Sequence, residues 1–205
     1  MTQHHKASEN RLPPPGRLPP HNIDCEEAVL SALLIADADF YFYAGMTTPT
    51  EAIPQSAIDY HQAHLGPAVA QTLKLLEPSS FYRDRHGWIF SAILELKRTG
   101  SKVNATTVAH QLAINGKLEA TGGAAYLSHL IANCPTTVFI VDYAEIIHKC
   151  AINRGLIGAA RQIEELGYQG GDAGENTKRA RALLGKEVKP PKGGMKFPLE
   201  KPPDE

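Results

Sequence analysis

No stretch of the chain runs to eighteen apolar residues, so no segment is fit to cross a bilayer as a helix and no membrane partner is expected. The N-terminus, MTQHHKASENRLPPPGRLPP, lacks the basic-then-apolar order of an export leader, and a cytoplasmic location is expected. Cysteine is scarce. Cys25, Cys134 and Cys150 are an odd set with no CxxC spacing and no histidine in zinc-finger register, which argues against a disulfide framework or a zinc site and leaves free thiols. An excess of one charge is missing as well: the formal net charge is -1, so contact with nucleic acid or an anionic surface would need a local patch.

The patterns that carry bond-making chemistry are absent too. A phosphate loop must end Gly-Lys-Ser/Thr, so that amides cradle phosphate, lysine neutralises charge and the hydroxyl holds magnesium. The Gly-Lys pairs here, Gly116-Lys117 and Gly185-Lys186, are followed by Leu118 and Glu187. No GxSxG, HExxH, GxGxxG or EF-hand pattern occurs, and the scattered Asp and Glu read as solvated. His4-His5, and His61 with His64 one helical turn apart, lack a third metal ligand. His86 and Trp88 read as packing residues, and so does the aromatic run Phe40, Tyr41, Phe42 and Tyr43. No catalytic, cofactor-binding or metal-ligating residue is expected.

What is present is a series of helical patterns. With 205 residues, 42% of them hydrophobic, there is enough apolar material for one core plus tails. Residues 1–20 hold five prolines and read as a disordered tail. Asn22 opens a first helix in which Val29, Ala32, Leu33 and Ala36 share a face widened by Leu30 and Leu34, with Asp24 and Glu27 spaced as a capping box. Residues 37–66 read as a loop with one short helix over 56–64, followed by an apolar helical turn over 69–76. Ile89, Ala92, Ile93 and Leu96 mark a helix stopped at Gly100, and 106–115 a further one. Gly122-Gly123 then turns the chain into a helix over 124–133, closed by Pro135.

Thr136 or Thr137 is placed to cap one long amphipathic helix of about thirty residues, roughly 45 Å at 1.5 Å per residue. GYQGGDAG reverses the chain into a helix over 175–187 with Ala180, Leu183 and Leu184 on its inner side. The organisation expected is all-α: a tail (1–20), a helical head (21–135), a hairpin (136–187) and a proline- and lysine-rich tail (188–205). The returning helix carries Lys178, Arg179, Arg181 and Lys186, candidates for phosphate contact.

Taken in order, LPPHNIDCEEAVLSALL, FYRDRHGWIFSAILEL, the helix opening at Val103, GGAAYL and NCPTTVFIVDYAEIIHK with the hairpin after it resemble the N-terminal domain of replicative DNA helicases of the DnaB type. The resemblance spans about 18–187 and omits an extra segment near 41–66. It implies an all-helical head followed by a hairpin, through which six subunits form a collar as a trimer of dimers. It implies binding of primase and, in some systems, a helicase loader. It also implies a separate RecA-like domain that uses ATP and magnesium, so that this chain meets DNA only indirectly. That motor domain has no counterpart in the sequence given. Ile140, Tyr143, Ile147, Leu156 and Ile163 are the positions matching the family's hairpin packing surface. The resemblance thus points to a homo-oligomer, or a partner of the full-length helicase. A split helicase with its motor on another chain and a basic nucleic-acid-binding helical protein are the alternatives.

Overall fold

The computed structural model describes residues 18–36 and 55–187, with the backbone alone for 55–64, 186 and 187. Among the described residues every regular element is helical. The aromatic run at 40–43, His4-His5, residues 1–17 of the expected N-terminal tail and the whole of the C-terminal one (188–205) lie outside them, whereas residues 18–20 are described and Pro20 is held by Arg154.

Helix α1 (Ile23–Ala36) is the axis of the head. Its cap differs from the expected Asp24/Glu27 box: Asn22 Oδ1 accepts the Cys25 N–H at 3.0 Å, which leaves both Glu26 and Glu27 free for tertiary contacts. Cys25, Ala28, Val29, Leu30, Ala32, Leu33 and Leu34 are all buried, as expected of a helix packed on every side. Burial, with help from the Asp24 charge, pushes the Cys25 thiol up from its ordinary value.

Helix α2 (Gln55–Leu75) corrects the expectation of a loop with two short helical pieces, because it runs unbroken through Gly66 and Pro67. A proline inside a helix normally costs a hydrogen bond and a clash. Here Leu65, Val69, Thr72 and Leu76 are buried at steps of four, three and four, and that packing against α1 and the long helix outweighs the local penalty. Residues 37–54 of the expected loop are outside the described residues, and His61 and His64 fall where only backbone is described.

A 3-10 turn at Pro78–Ser80 leads into α3 (Asp84–Arg98). Gly87 lets these two elements touch: a Cβ built there would stand 2.6 Å from the Pro78 carbonyl oxygen. Gly87→Ala, favourable by helix propensity alone, is therefore expected to destabilise the fold by about 1–3 kcal/mol, because backbone must move. An unchanged melting temperature would contradict this close approach.

Helix α4 (Ala105–Ile114) is capped reciprocally: the Thr107 N–H donates to Asn104 Oδ1 and the Asn104 N–H to Thr107 Oγ1, both at 3.0 Å. The short α5 (Leu118–Thr121) turns at Gly122 (φ 100°) into α6 (Gly123–Ala132).

The long helix, α7 (Ile140–Gln169), has 30 residues. It starts later than a Thr136 or Thr137 cap would place it. Phe139 is at the cap position without a side-chain bond, and Thr136 Oγ1 accepts the Val138 N–H instead. Gly170 and Gly171, both at positive φ, reverse the chain into α8 (Ala173–Glu187), and Asp172 Oδ1 accepts the Glu175 N–H at 2.8 Å. Ala180 and Leu183 are half-buried against α7, but Leu184 is 44% exposed and faces solvent rather than the hairpin interior.

Candidate interaction surface

Two polar features fix the frame, one within the head and one between the head and α7. Glu26, 1% exposed, is the acceptor at the centre of the first. Its carboxylate takes the Tyr82 N–H at 2.6 Å, the Arg83 N–H at 3.4 Å and His86 Nδ1–H at 2.7 Å. On the other edge of the fully buried His86 ring, Nε2 meets the Tyr126 hydroxyl at 2.7 Å, and that hydroxyl donates to Glu27 Oε1 at 3.0 Å. Arg83 pairs with Glu27 at 3.3 Å, and the Arg85 guanidinium lies 3.9 Å over the Tyr126 ring. Helices α1, α3 and α6 are thereby joined through polar groups. Glu26, expected as a charge near the helix start, and Glu27, expected in a capping box with Asp24, instead make tertiary hydrogen bonds. The one sequence signal was their place on the apolar helix that proves most enclosed.

Burial first, then the hydrogen bond to Glu27 and its charge, push the Tyr126 phenol up from 10.0 to about 12. The fold favours the neutral phenol, so this contribution is complete below the unfolded value near 10 and is lost as pH rises toward 12. Wild type is expected to lose stability more steeply than Tyr126→Phe across that window. Parallel denaturation midpoints for the two proteins would contradict it.

The second feature is Arg154 in the middle of α7, whose guanidinium donates to the Pro20 carbonyl at 2.9 Å and the Ser80 carbonyl at 2.6 Å. Together with Ile140, Ala144 and Ile147 in the core, it fixes the first half of α7 to the head. The second half packs against α8 and is largely exposed.

The structure separates the residues expected at an interface. Ile140 and Ile147 are 0% and 1% exposed, closed inside the chain's own core, whereas Tyr143, Leu156 and Ile163 are half-buried. About 100° around α7 from the core-facing side runs a different stripe: Phe139, Tyr143, Ile146, Cys150, Asn153 and Ile157, at alternating steps of four and three. Phe139, Ile146 and Ile157 on it are 53%, 37% and 39% exposed. Sequence reading missed Ile146 and Ile157 because two apolar stripes share this helix, and nothing local says which one the head covers.

Farther along the hairpin, a groove of roughly 520 Å³ between α7 and α8 is lined by Arg161, Glu165, Leu166, Arg179, Ala182 and Leu183, with the amides of Gln162 and Gln169. Lys178, Arg179 and Arg181 are exposed and form no ion pair among the described residues, while Lys186 lies where only backbone is described. No group of three metal-ligating side chains occurs among the described residues, and no described helix is long and apolar enough to cross a membrane.

A helical head with a long helix running out into a hairpin defines an all-α protein with only helical elements among its described residues. The chain belongs to the family of DnaB-like helicase N-terminal domains. The family model, DnaB-like helicase N terminal domain, matches residues 65–149. The replicative DNA helicase DnaB of Mycobacterium leprae is 31% identical over 172 residues, covering 82% of this chain and 24% of that protein. The crystal structure of the N-terminal domain of DnaB helicase from Mycobacterium tuberculosis matches with a TM-score of 0.63 at 30% identity, over 83% of this chain and 100% of that one. A DnaB-like replicative helicase, described with its interactions with primase, shares the fold at a TM-score of 0.52 and 21% identity, over 81% of this chain and 31% of that one. The chain thus spans about a quarter of the length of the full helicase it matches.

Proposed function

We propose that this chain acts in DNA replication as a non-catalytic oligomerisation module that also receives primase or a helicase loader, with head and hairpin divided near residues 135 and 136. Unwinding and ATP hydrolysis then belong to a RecA-like motor, and the chain's own work is contact between proteins in the cytoplasm. The relative described with its interactions with primase supports the second half of this reading.

The observation that carries the first half is the partly exposed stripe on α7, open at Phe139, Ile146, Asn153 and Ile157 and half-buried at Tyr143 and Cys150. Six positions from Phe139 to Ile157 follow the spacing of a coiled-coil seam over about 27 Å, with an asparagine, Asn153, at one core position. The stripe is self-complementary when two copies run antiparallel: Ile146 then meets Ile157 of the second copy, and Cys150 meets Asn153. A face that matches itself in this way makes a closed two-fold dimer, the step from which larger symmetric rings are built. The hairpin of each copy would add area toward the roughly 1,000 Å² that a lasting interface needs.

The test is sedimentation velocity together with cysteine cross-linking. Wild type is expected to form dimers or higher even-numbered species, and Asn153→Cys to give an intermolecular disulfide with Cys150 under mild oxidation. A strictly monomeric chain at high concentration, or cross-linking no faster than for a cysteine placed at Lys149, would overturn it.

A further inference from the structure

We propose that Asn115 is a site of spontaneous deamidation, assisted by Gln111, whose isoaspartyl product opens the joint between α4 and α5. The site lies on the head, outside the α7 stripe, and does not depend on self-association of the chain. Of the chain's asparagines only Asn115 precedes a glycine. In this chemistry the backbone nitrogen of the next residue must reach the asparagine side chain, and a residue without Cβ offers the least obstruction. Asn115 and Gly116 are both exposed, and a Cβ built on Gly116 would meet nothing within 4 Å.

Other asparagine side chains are tied to backbone groups. Asn22 and Asn104 accept the Cys25 and Thr107 N–H groups, and Asn133 and Asn176 donate to the His129 and Gly170 carbonyls. Asn115 instead meets Gln111, whose side-chain N–H donates to Asn115 Oδ1 at 3.2 Å. That donor faces the oxygen on which negative charge develops during attack, so it lowers the barrier.

In the reaction, Gly116 N bonds to Asn115 Cγ and gives up its hydrogen, the bond from Cγ to the side-chain nitrogen breaks, and ammonia leaves a cyclic imide. Water then opens the ring at either carbonyl, giving aspartate or isoaspartate. The attack requires the last turn of α4 to loosen, because the Gly116 N–H donates to the Ala113 carbonyl at 3.0 Å and the Lys117 N–H to the Leu112 carbonyl at 2.8 Å. These two bonds close the glycine stop of an exposed helix end, where local opening is least costly. Isoaspartate makes the loosening permanent. It adds a methylene to the backbone before Gly116, so the two bonds no longer close, and its carboxylate faces the negative end of the helix dipole. Lys117 Nζ, 4.7 Å from the ring centroid of Trp88, the chain's only tryptophan, is drawn off with it.

The test holds the full chain in warm, mildly alkaline buffer over days and maps it by peptide mass spectrometry, with isoaspartate read by enzymatic methylation. A gain of about one mass unit is expected at Asn115 at least about tenfold faster than at any other asparagine. Gln111→Leu should slow it by about threefold, the modest worth of an exposed hydrogen bond, with circular dichroism checking the fold. Trp88 emission should shift in step with the isoaspartate fraction and stay constant in Asn115→Ser, which cannot form the imide. Earlier modification of another asparagine, or an intact Asn115 in the folded chain, overturns the proposal. An unchanged rate in Gln111→Leu overturns the assistance, and constant Trp88 emission while isoaspartate accumulates overturns the opening of the joint.

Discussion

Glu26→Ala is expected to cost about 3–5 kcal/mol of unfolding free energy, enough to lower the melting temperature by roughly ten degrees or more. The magnitude follows from what the carboxylate leaves behind. His86 is fully buried, and its Nδ1 would lose its acceptor, while the Tyr82 and Arg83 N–H groups at the entry to α3 would lose theirs. His86 has no water to turn to and retains the full cost of desolvation, while the two partly buried N–H groups retain part of it. Glu26→Gln keeps the shape and one carbonyl acceptor, and should fall between alanine and wild type.

Replacing Glu26 and His86 together by apolar residues removes the hydrogen-bonded side-chain pair but not the two backbone donors, so it should recover only part of the loss. Denaturant titration of the three variants distinguishes these outcomes. A Glu26→Ala protein within about 1 kcal/mol of wild type would show that the network is ornamental to folding.

The Ile146→Asp/Ile157→Asp double variant should weaken self-association by at least about a thousandfold, since two substitutions act twice across a two-fold interface and each buries a carboxylate against apolar partners. Both side chains are more than a third exposed in the single chain, at 37% and 39%, so the fold should tolerate the change. This separates the stripe from the core. Ile147→Asp, one residue away and 1% exposed, is expected to unfold the head instead. The comparison is made by concentration-dependent sedimentation alongside circular dichroism. An oligomer that survives in the first variant removes the α7 stripe from the assembly.

The contrast between Ile146 and Ile147 also shows where sequence reasoning stops. Apolar periodicity locates α7 and gives its length to within a residue or so, because helix formation responds to spacing along one chain. It cannot tell which of two apolar stripes is covered by the same chain and which is left open, because that depends on where α1 and α2 come to lie. Glu26 poses the same difficulty in another form. A glutamate in the first turn of a helix is ordinarily a solvated charge favourable to the dipole, and only the return of Tyr82 and His86 from 56 and 60 residues away encloses it. The break expected by Gly66 failed for the opposite reason. The local rule was sound, but the buried series Leu65, Val69, Thr72 and Leu76 outweighed it.

Helix content, the glycine reversals, the Asn104 cap and the family resemblance all follow from residues within a turn or two of one another, where propensity, capping and spacing act. The choice of buried face, the closure of a polar network around His86, the continuity of α2 and the groove between α7 and α8 follow from contacts distant in sequence. Such contacts depend on how apolar area and buried polar groups are satisfied jointly, and no single segment carries that information.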